Sequence, residues 1–224
     1  MTRLSVVMPV LDEAAGLTAT LQALAPLRAR GHELIVVDGG SSDGSPGLAA
    51  GAADHVLGSP RGRARQMNAG AALARGDVLV FLHADTTLPA TAEVLIAQAV
   101  AGGSRWGRFD VRITGDEPLL RVIGALMNLR SRVSGIATGD QAIFVERRLF
   151  ESLGGYAELP LMEDIELCRR LRAVAAPACL RAQVQTSGRR WQRRGAWRTV
   201  WLMWRLRWRY WRGEAPETLV QLYR

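Results

Sequence analysis

Acidic residues follow three short apolar segments of this 224-residue chain, at the point where each segment ends. Asp12 and Glu13 follow the first segment, Asp38 follows the second, and Asp85 follows the third. In an open parallel sheet the carboxyl ends of the strands meet at one edge, where ligands bind. Carboxylates that converge there repel one another unless a cation or a hydrogen-bonding ligand lies between them. The pattern therefore predicts a ligand site, with a helix cap at Asp12 and a simple turn over 39–44 as the alternatives.

Hydrophobic periodicity predicts the elements that must position these acids. Segments 4–8, 33–37 and 78–82 are rich in Val, Ile and Leu, which is typical of strands buried on both faces. Between them, leucines at helical spacing after residue 12 and the segment 64–74 predict helices. Further along the chain we expect strands near 109–113, 142–145 and 180–184, and helices over 119–130 and 164–174. This alternation predicts an α/β fold with a mostly parallel central sheet flanked by helices.

The composition excludes several classes of protein. Hydrophobic residues make up 48% of the chain and charged residues 22%, which is typical of a globular domain and not of a disordered or fibrous protein. We find no apolar segment of signal-peptide length at the start and no uncharged stretch of the roughly 20 residues that cross a bilayer. We therefore expect a cytoplasmic protein. Cys168 and Cys179 form no spaced framework and are predicted to be reduced thiols without a special role.

Positive charge is concentrated in the C-terminal quarter of the chain. The formal net charge is +8, and all 29 basic residues are arginines. Thirteen of these arginines lie between residues 167 and 213, where there is no Asp or Glu, so the remaining 16 arginines face 21 acids. The body is therefore mildly acidic, unlike an evenly basic nucleic-acid binder.

Tryptophans between Trp197 and Trp211 recur at intervals of four, three, four and three residues, which predicts one continuous stripe on an amphipathic helix. Most arginines of this segment fall on one flank of the stripe, and Arg207 falls on the other. Indole rings flanked by arginine favour peripheral contact with an anionic membrane surface, here the inner face of the cell membrane. The alternatives are packing on the protein's own core or on a second subunit, and a nucleic-acid binding module.

Five sequence motifs occur in a fixed order along the chain. They are SVVMPVLDEA, IVVDGGSSDGS, GRARQMNAGAALARGDVLVFLHADT, TGDQAIFVERRLFESLGGY and LPLMEDIELCRRL. Together they resemble the nucleotide-sugar-dependent glycosyltransferases of family 2, which have the GT-A fold. GRARQMNAG with FLHADT, the TSGRRW stretch and the Trp-rich tail are most similar to the short bacterial subfamily named after arsenosugar biosynthesis. We therefore predict a single GT-A domain over 1–186 and a basic, Trp-rich helical extension over 187–224.

The resemblance implies a donor site for a nucleoside-diphosphate sugar, with UDP as the favoured nucleotide. The residues predicted to form it are Pro9, Asp12, Glu13, Asp38, Arg63 and Asp85. Carboxylates at such a site accept hydrogen bonds from the base and the ribose, and Arg63 contacts the phosphates unless it is only a solvated residue at a helix start. Asp85 matches the last acid of the family's DxD motif, which holds Mg²⁺ or Mn²⁺ against the diphosphate. His83 stands at the first position of that motif, either as a metal ligand or as a hydrogen-bonded structural residue.

Glu163 and Asp164 resemble an acidic pair in which the second member deprotonates the acceptor hydroxyl. The resemblance therefore implies that Asp164 is the general base of an inverting displacement. The alternative is an acid that the helix dipole favours at the start of a helix. The residues predicted to surround the acceptor are Asp140, Gln141, Arg189, Arg190 and Trp191. The acceptor itself is left open between a lipid-linked molecule and a small metabolite.

Three positions depart from the family's pattern. Gly39 replaces a second acid after strand two, His83 replaces the first acid of the DxD motif, and Ser187 stands where processive members have glutamine. We therefore expect transfer of a single sugar, with a degenerate nucleotide-binding protein as one alternative. A nucleotidyltransferase on a related fold is a weaker alternative, because it requires a glycine-rich loop where this chain has PVLDEA.

Overall fold

A computed structural model describes residues 2–115 and 117–223, except the side chains of Arg190, Arg193 and Arg194. Its strands are β1 (Leu4–Val10), β2 (Glu33–Asp38), β3 (His55–Gly58), β4 (Val78–Phe81), β5 (Thr86–Thr87), β6 (Trp106–Thr114), β7 (Phe144–Glu146) and β8 (Ala178–Ser187). Its α-helices are α1 (Ala14–Ala29), α2 (Ser45–Ala49), α3 (Arg63–Leu73), α4 (Ala92–Ala101), α5 (Pro118–Ser134), α6 (Arg147–Ser152), α7 (Glu163–Val174), α8 (Arg189–Arg194), α9 (Ala196–Trp211) and α10 (Pro216–Tyr223). A 3₁₀ turn over Gly139–Gln141 lies between α5 and β7.

The described strands form one sheet in the order β3-β2-β1-β4-β7-β6-β8-β5. Parallel pairing joins β3, β2, β1 and β4 on one side, and β6 with β8 on the other. The short strand β7 runs antiparallel between these two halves, and β5 pairs antiparallel with β8. The predicted α/β fold with a mostly parallel sheet flanked by helices is therefore confirmed.

The central strands are buried because helices cover both faces of the sheet. Alternate residues of β1 point to opposite faces: Val6 and Met8 pack in a cluster with α1 and α4, whereas Val7 packs in a cluster with α3 and α7. Helix α3 lies close to the sheet because Gly70 has no side chain, and a Cβ there would come within 2.5 Å of Val7 Cγ1. Residues carried at the start of α3 are therefore held at a fixed distance from the end of β1.

The predicted segments match the observed elements with shifted ends. The predicted strand at 142–145 begins too early, because Ala142 has a left-handed backbone with φ of 46° and the strand starts at Phe144. The short elements α2, β3, β5 and α6, and also α4, were not predicted from the pattern. Strand β3 lies at the edge of the sheet and has only four residues, so it carries little hydrophobic periodicity.

The C-terminal helices pack on the body. Strand β8 ends at Ser187, next to the predicted boundary at 186, and α8 begins two residues later. Ala196 and Val200 pack against the cluster that contains Ile113 and Leu120. None of the helices in the described ranges is long and apolar enough to span a bilayer.

Candidate active site

A cavity of about 1080 Å³ lies where the ends of β1 and β4, the start of α7, and α5 and α9 meet. Nine of the predicted site residues line it: Pro9, Glu13, Arg63, His83, Asp85, Asp140, Glu163, Asp164 and Trp191. Asp12, Asp38, Gln141 and Arg189 do not line this cavity, and the side chain of Arg190 lies outside the described residues. The fold therefore brings acids from four separate chain segments into one space.

The loops after β1 and β2 are locked together by hydrogen bonds. The Asp12 carboxylate accepts from the backbone N–H of Ser42 (2.8 Å), and the Asp12 N–H donates to Ser41 Oγ (2.9 Å). The loop after β2 also provides an acceptor for the first turn of α1: the Ala14 N–H donates to the Asp43 carboxylate (2.8 Å). Asp12 is therefore not the helix cap, and its predicted alternative role as a cap is wrong.

Asp38 shapes the loop that follows β2. Its carboxylate accepts from the N–H of Gly40 (2.9 Å) and from the N–H and Oγ of Ser41, the latter at 2.5 Å. A nucleotide contact by Asp38 would be made by a carboxylate whose position is already fixed by its own loop. The role of Asp38 in nucleotide binding stays a prediction.

The side-chain amide of Gln66 explains why position 39 is a glycine and not a second acid. The sequence pattern did not indicate this amide. The Gln66 side chain is buried, and its Nε2 donates to the carbonyls of Val10 (2.9 Å) and Val37 (2.8 Å). A Cβ at Gly39 would lie 3.0 Å from Gln66 Oε1. The amide therefore ties β1 to β2 in the space that a second acid side chain would need.

Glu13 and Asp85 form an acidic pair at the end of β1 and β4. Burial raises the pKa of Glu13, and the negative charge of Asp85 raises it further, although Arg189 acts in the opposite direction. Arg189 Nη2 lies 3.3 Å from Glu13 Oε2, so this arginine pairs with the acid across the chain. Asp85 presents the carboxylate oxygens that a divalent cation prefers, and such an ion would offset this repulsion.

His83 is partly buried and contacts Asp140 through one ring nitrogen. Its Nδ1 lies 3.2 Å from Asp140 Oδ1, and its ring packs so closely against Gly139 that a Cβ there would overlap the ring. This packing favours the structural alternative for His83, which positions Asp140. Among residues 2–115 and 117–223, no three His, Cys, Asp or Glu side chains are grouped to hold a metal ion.

Glu163 and Asp164 open α7 and both face the cavity. Met162 immediately before them has a left-handed backbone with φ of 70°, which turns the chain into the helix. Asp164 Oδ2 accepts from the N–H of Gly139 (2.9 Å), and Oδ1 accepts from the N–H of Ile165 (2.7 Å). These two donors fix the position of the carboxylate.

Glu163 is only 6% exposed and sits beside a like charge. Burial raises its pKa, the charge of Asp164 raises it further, and Arg63 partly opposes the increase. Burial by itself lowers the pKa of Arg63, but the charges of Glu163, Tyr223, Asp140 and Asp164 together raise it above its ordinary value. The two adjacent acids thus have different environments: Glu163 is buried, whereas the Asp164 carboxylate accepts two backbone hydrogen bonds.

Gln141 cannot contact an acceptor, because its side chain is completely buried. Its Nε2 donates to Ser131 Oγ (2.9 Å), and its Oε1 accepts from the N–H of Thr138 (3.3 Å). The sequence interpretation of Gln141 as an acceptor residue is corrected: it stabilises the 3₁₀ turn that carries Asp140.

Two arginines of the cavity were missed by the sequence interpretation. Arg130 of α5 and Arg207 of α9 line it together, with Asp164 near both. The isolated position of Arg207 on the second flank of the Trp stripe was the one sequence feature that could have indicated its role. Nothing in the pattern of α5 distinguished Arg130 from its neighbouring arginines.

The Trp stripe of α9 points away from the body. Its five tryptophans are 55 to 83% exposed, so the alternative in which the stripe packs on the protein's own core is wrong. Leu206, on the opposite side of α9, packs with Met162 and Leu219. A second stripe, which was not predicted, consists of exposed apolar residues of α5: Val122, Leu126, Leu129 and Val133.

These two stripes meet at the mouth of the cavity. We call the exposed apolar residues that also line it the apolar rim: Leu126, Leu129, Val133, Trp204, Trp208 and Trp211. On the outer flank of α9, the Arg205 guanidinium lies 5.2 Å from the Trp201 ring and that of Arg212 lies 4.8 Å from the Trp208 ring. The opening of the site is therefore apolar with a basic border.

Comparison with known proteins places this geometry among sugar transferases. The family model "Glycosyl transferase family 2" matches residues 5–138. An uncharacterised glycosyltransferase of Mycobacterium tuberculosis is 31% identical over 202 residues, which cover 82% of this chain and 75% of that protein.

Solved structures share the fold at low sequence identity. S. aureus TarS 1–349 in complex with UDP superposes with a TM-score of 0.68 and 16% identity, over 83% of this chain and 60% of that one. The mannosyltransferase PcManGT from Pyrobaculum calidifontis, in complex with GDP-Man and Mn²⁺, gives a TM-score of 0.62 and 19% identity, over 82% and 56% of the two chains. The chain thus spans little more than half the length of these two proteins, and the likeness shows a common GT-A fold.

The raised pKa of Glu163 predicts a pH-dependent cost to stability. A carboxyl whose pKa is higher in the folded than in the unfolded chain contributes stability that is complete below its unfolded pKa and is lost as pH rises through its folded pKa. Glu163→Gln removes this ionisation. The variant should melt at a higher temperature than the unsubstituted chain at pH 8, with the difference disappearing toward pH 4; each 1 kcal/mol corresponds to roughly 2–4 °C in a domain of this size.

Thermal unfolding followed by circular dichroism measures this difference. Glu158→Gln is the matched control, because Glu158 forms an exposed ion pair with Arg65 and such pairs contribute little. A lower melting temperature for Glu163→Gln at pH 8 would show that Glu163 is stabilised as an anion, contrary to its environment.

Proposed function

Because the chain belongs to glycosyltransferase family 2, we propose that it transfers a single sugar from a nucleoside-diphosphate sugar to an acceptor hydroxyl with inversion at the anomeric carbon. The observation that supports this most strongly is the presence of Asp85 and Asp164 in one cavity at the carboxyl ends of the parallel strands. One acid is suited to the donor diphosphate and the other to the acceptor. UDP is the proposed nucleotide, and TarS is a structural neighbour with UDP bound.

The donor half of the site is proposed to consist of Pro9, Asp12, Glu13, Asp38, Arg63 and Asp85. The interlocked loops after β1 and β2 give the base and ribose a rigid wall, and Arg63 at the start of α3 is available to the phosphates. Mg²⁺ or Mn²⁺ held by Asp85 would neutralise charge on the departing nucleoside diphosphate. PcManGT, the second of the structural neighbours, has Mn²⁺ together with its nucleotide sugar.

The acceptor half is proposed to use Asp164 as the general base. Its carboxylate is held by the N–H groups of Gly139 and Ile165, so it takes the proton of the attacking hydroxyl without first having to be oriented. Glu163 is buried and has a raised pKa, so a second negative charge beside Asp164 is disfavoured. One base and one displacement produce inversion of the anomeric configuration.

The apolar rim is proposed to contact an anionic membrane surface. Exposed indole rings prefer the interface of a bilayer, and arginines on the outer flank of α9 match anionic headgroups. The rim also borders the cavity, so a protein bound this way presents its active site to the lipid. A second copy of the chain and a nucleic acid are the other occupants that the experiment below distinguishes.

Nucleotide binding should stabilise the protein in a metal-dependent manner. A ligand at about 100 times its Kd adds about 2.7 kcal/mol, or roughly 5–10 °C in melting temperature for a chain of this size. We expect this increase for UDP with Mn²⁺ and not for GDP or CDP, measured by differential scanning fluorimetry. Asp85→Asn should abolish the dependence on Mn²⁺.

Asp77→Asn is the matched control for Asp85→Asn. Asp77 lies just before β4, at the opposite end of that strand, and accepts a bond from the N–H of Arg3 (2.9 Å). A shift with none of the three nucleotides, in a protein that unfolds cooperatively, would contradict the proposed donor site and favour a degenerate family member.

Loss of the base should reduce turnover without reducing donor binding. Asp164→Asn keeps the size of the side chain but cannot accept the proton, so we expect a decrease of about 10²–10⁴-fold in the rate of nucleoside diphosphate release. The assay is release of UDP from UDP-sugars to water as the simplest acceptor, with the UDP-induced increase in melting temperature unchanged. If the rate of UDP release decreases in Glu163→Gln but is unchanged in Asp164→Asn, the base is Glu163 and not Asp164.

Membrane contact should depend on the tryptophans of the rim. Trp204→Ser with Trp208→Ser should reduce co-sedimentation with phosphatidylglycerol-containing vesicles by about tenfold or more, since indole burial contributes most of such interfacial binding. The double variant Leu48→Ser with Leu73→Ser is the control, because those exposed leucines lie on α2 and α3.

Two results would overturn the membrane proposal. If the unsubstituted protein forms dimers in analytical ultracentrifugation and the Trp variant is monomeric, the rim is a subunit interface. If it binds duplex DNA with a steep salt dependence but does not bind vesicles, the basic helix is a nucleic-acid module.

A further inference from the structure

Arg130 lines the cavity with part of its guanidinium group lacking a hydrogen-bond acceptor among the described residues. Its Nε and Nη2 atoms are buried, and no described residue accepts a hydrogen bond from either atom. A buried guanidinium without an acceptor is costly, because it loses its hydration and gains no partner. The charge-bearing atoms of Arg130 therefore favour an anionic ligand at this point of the cavity.

Arg207 places a second positive charge in the same cavity from a different helix. Burial lowers the pKa of Arg130 to about 10, and the charge of Arg207 contributes to this decrease. Burial also lowers the pKa of Arg207, while Asp164 and Asp140 act in the opposite direction. Arg130 on α5 and Arg207 on α9 repel each other. An anion that contacts both arginines removes this repulsion and is therefore bound more strongly than an anion that contacts only one of them.

The apolar rim begins immediately beside these two arginines. Leu126 and Val133 lie one helical turn from Arg130 along α5, and Trp204 and Trp211 lie one turn from Arg207 along α9. A ligand whose anionic group contacts the arginines would therefore have hydrocarbon-binding surface next to it, leading out of the cavity. Asp164 lines the same cavity and is near both arginines.

We propose that the acceptor is a phospholipid with a hydroxylated headgroup, whose phosphate is bound by Arg130 and Arg207 and whose hydrocarbon chains lie along the apolar rim. The proposal rests on the sugar transfer proposed above, and it names the acceptor class for that reaction. A hydroxyl beyond the phosphate is required, because only a hydroxyl needs the base at Asp164, whereas a phosphate oxygen is already ionised. The phosphorylated headgroup alone lacks the hydrocarbon chains, so it would not contact the apolar rim.

Soluble short-chain lipids separate recognition in the cavity from general attraction to a charged membrane. The probe is dioctanoylphosphatidylglycerol below its critical micelle concentration, and binding is measured by isothermal titration calorimetry. We expect saturable binding of this lipid, at least tenfold weaker binding of glycerol 1-phosphate, and at least tenfold weaker binding of dioctanoylphosphatidylcholine, which has no headgroup hydroxyl and carries a compensating positive charge.

Substitution of the two arginines tests the phosphate contact. Arg130→Gln and Arg207→Gln should each weaken binding of the short-chain phosphatidylglycerol by about tenfold or more, as for other hydrogen bonds to charged groups. Arg121→Gln is the matched control, since Arg121 is an exposed arginine of the same helix α5 that does not line the cavity. The increase in melting temperature with UDP and Mn²⁺ is measured on every variant and should not change.

The outcomes distinguish this proposal from the function on which it rests. Equal binding of glycerol 1-phosphate would overturn the lipid assignment and indicate a small phosphorylated acceptor. Equal loss of affinity in the Arg121 variant, or no loss in the other two, would overturn the phosphate contact. A missing UDP response in the unsubstituted protein would instead contradict the donor site, whatever the lipid measurements show.

Discussion

Like charges lie together at three places in one partly dehydrated cavity. Glu13 lies near Asp85, Glu163 near Asp164, and Arg130 near Arg207. In each pair, burial and the charge of the neighbour both disfavour the charged form of one member: Glu13, Glu163 and Arg130. The three pairs differ in the ligand that would relieve them: a cation at the first, a proton or a substrate hydroxyl at the second, and an anion at the third. The rest of the structure holds these pairs in place against their repulsion.

The scaffold does so mainly through buried backbone and amide contacts. Gln66 joins the carbonyl ends of β1 and β2, and Gln141 braces the turn before β7 from inside the core. The N–H of Gly139 then reaches the Asp164 carboxylate from that braced turn. Such rigid hydrogen-bonded supports position acids more precisely than flexible loops do, which is what pre-organised catalysis requires. The uncharged residues of the site are therefore as important to its geometry as the acids.

The C-terminal helices add a surface with a different physical character. Helix α9 uses Leu206 to attach to the body, Arg207 to reach the cavity, and its tryptophans to face outward. Together with the exposed face of α5 it surrounds the cavity opening with apolar side chains. A polar site that opens through an apolar border suits an amphiphilic acceptor and a membrane surface, and one helix thereby links the proposed chemistry to the proposed location.

The sequence by itself determined the α/β class, most of the strands and helices, the family, and nine residues that line the cavity. These features depend on local periodicity and on motifs whose residues are neighbours in the chain. The tertiary structure decided what each polar residue contacts. Asp12 is bonded by the neighbouring loop rather than capping α1, Gln141 is buried, and Arg130 meets Arg207 although 77 positions separate them in the chain. Burial and charge pairing arise only when distant segments pack together, so no local pattern contains them.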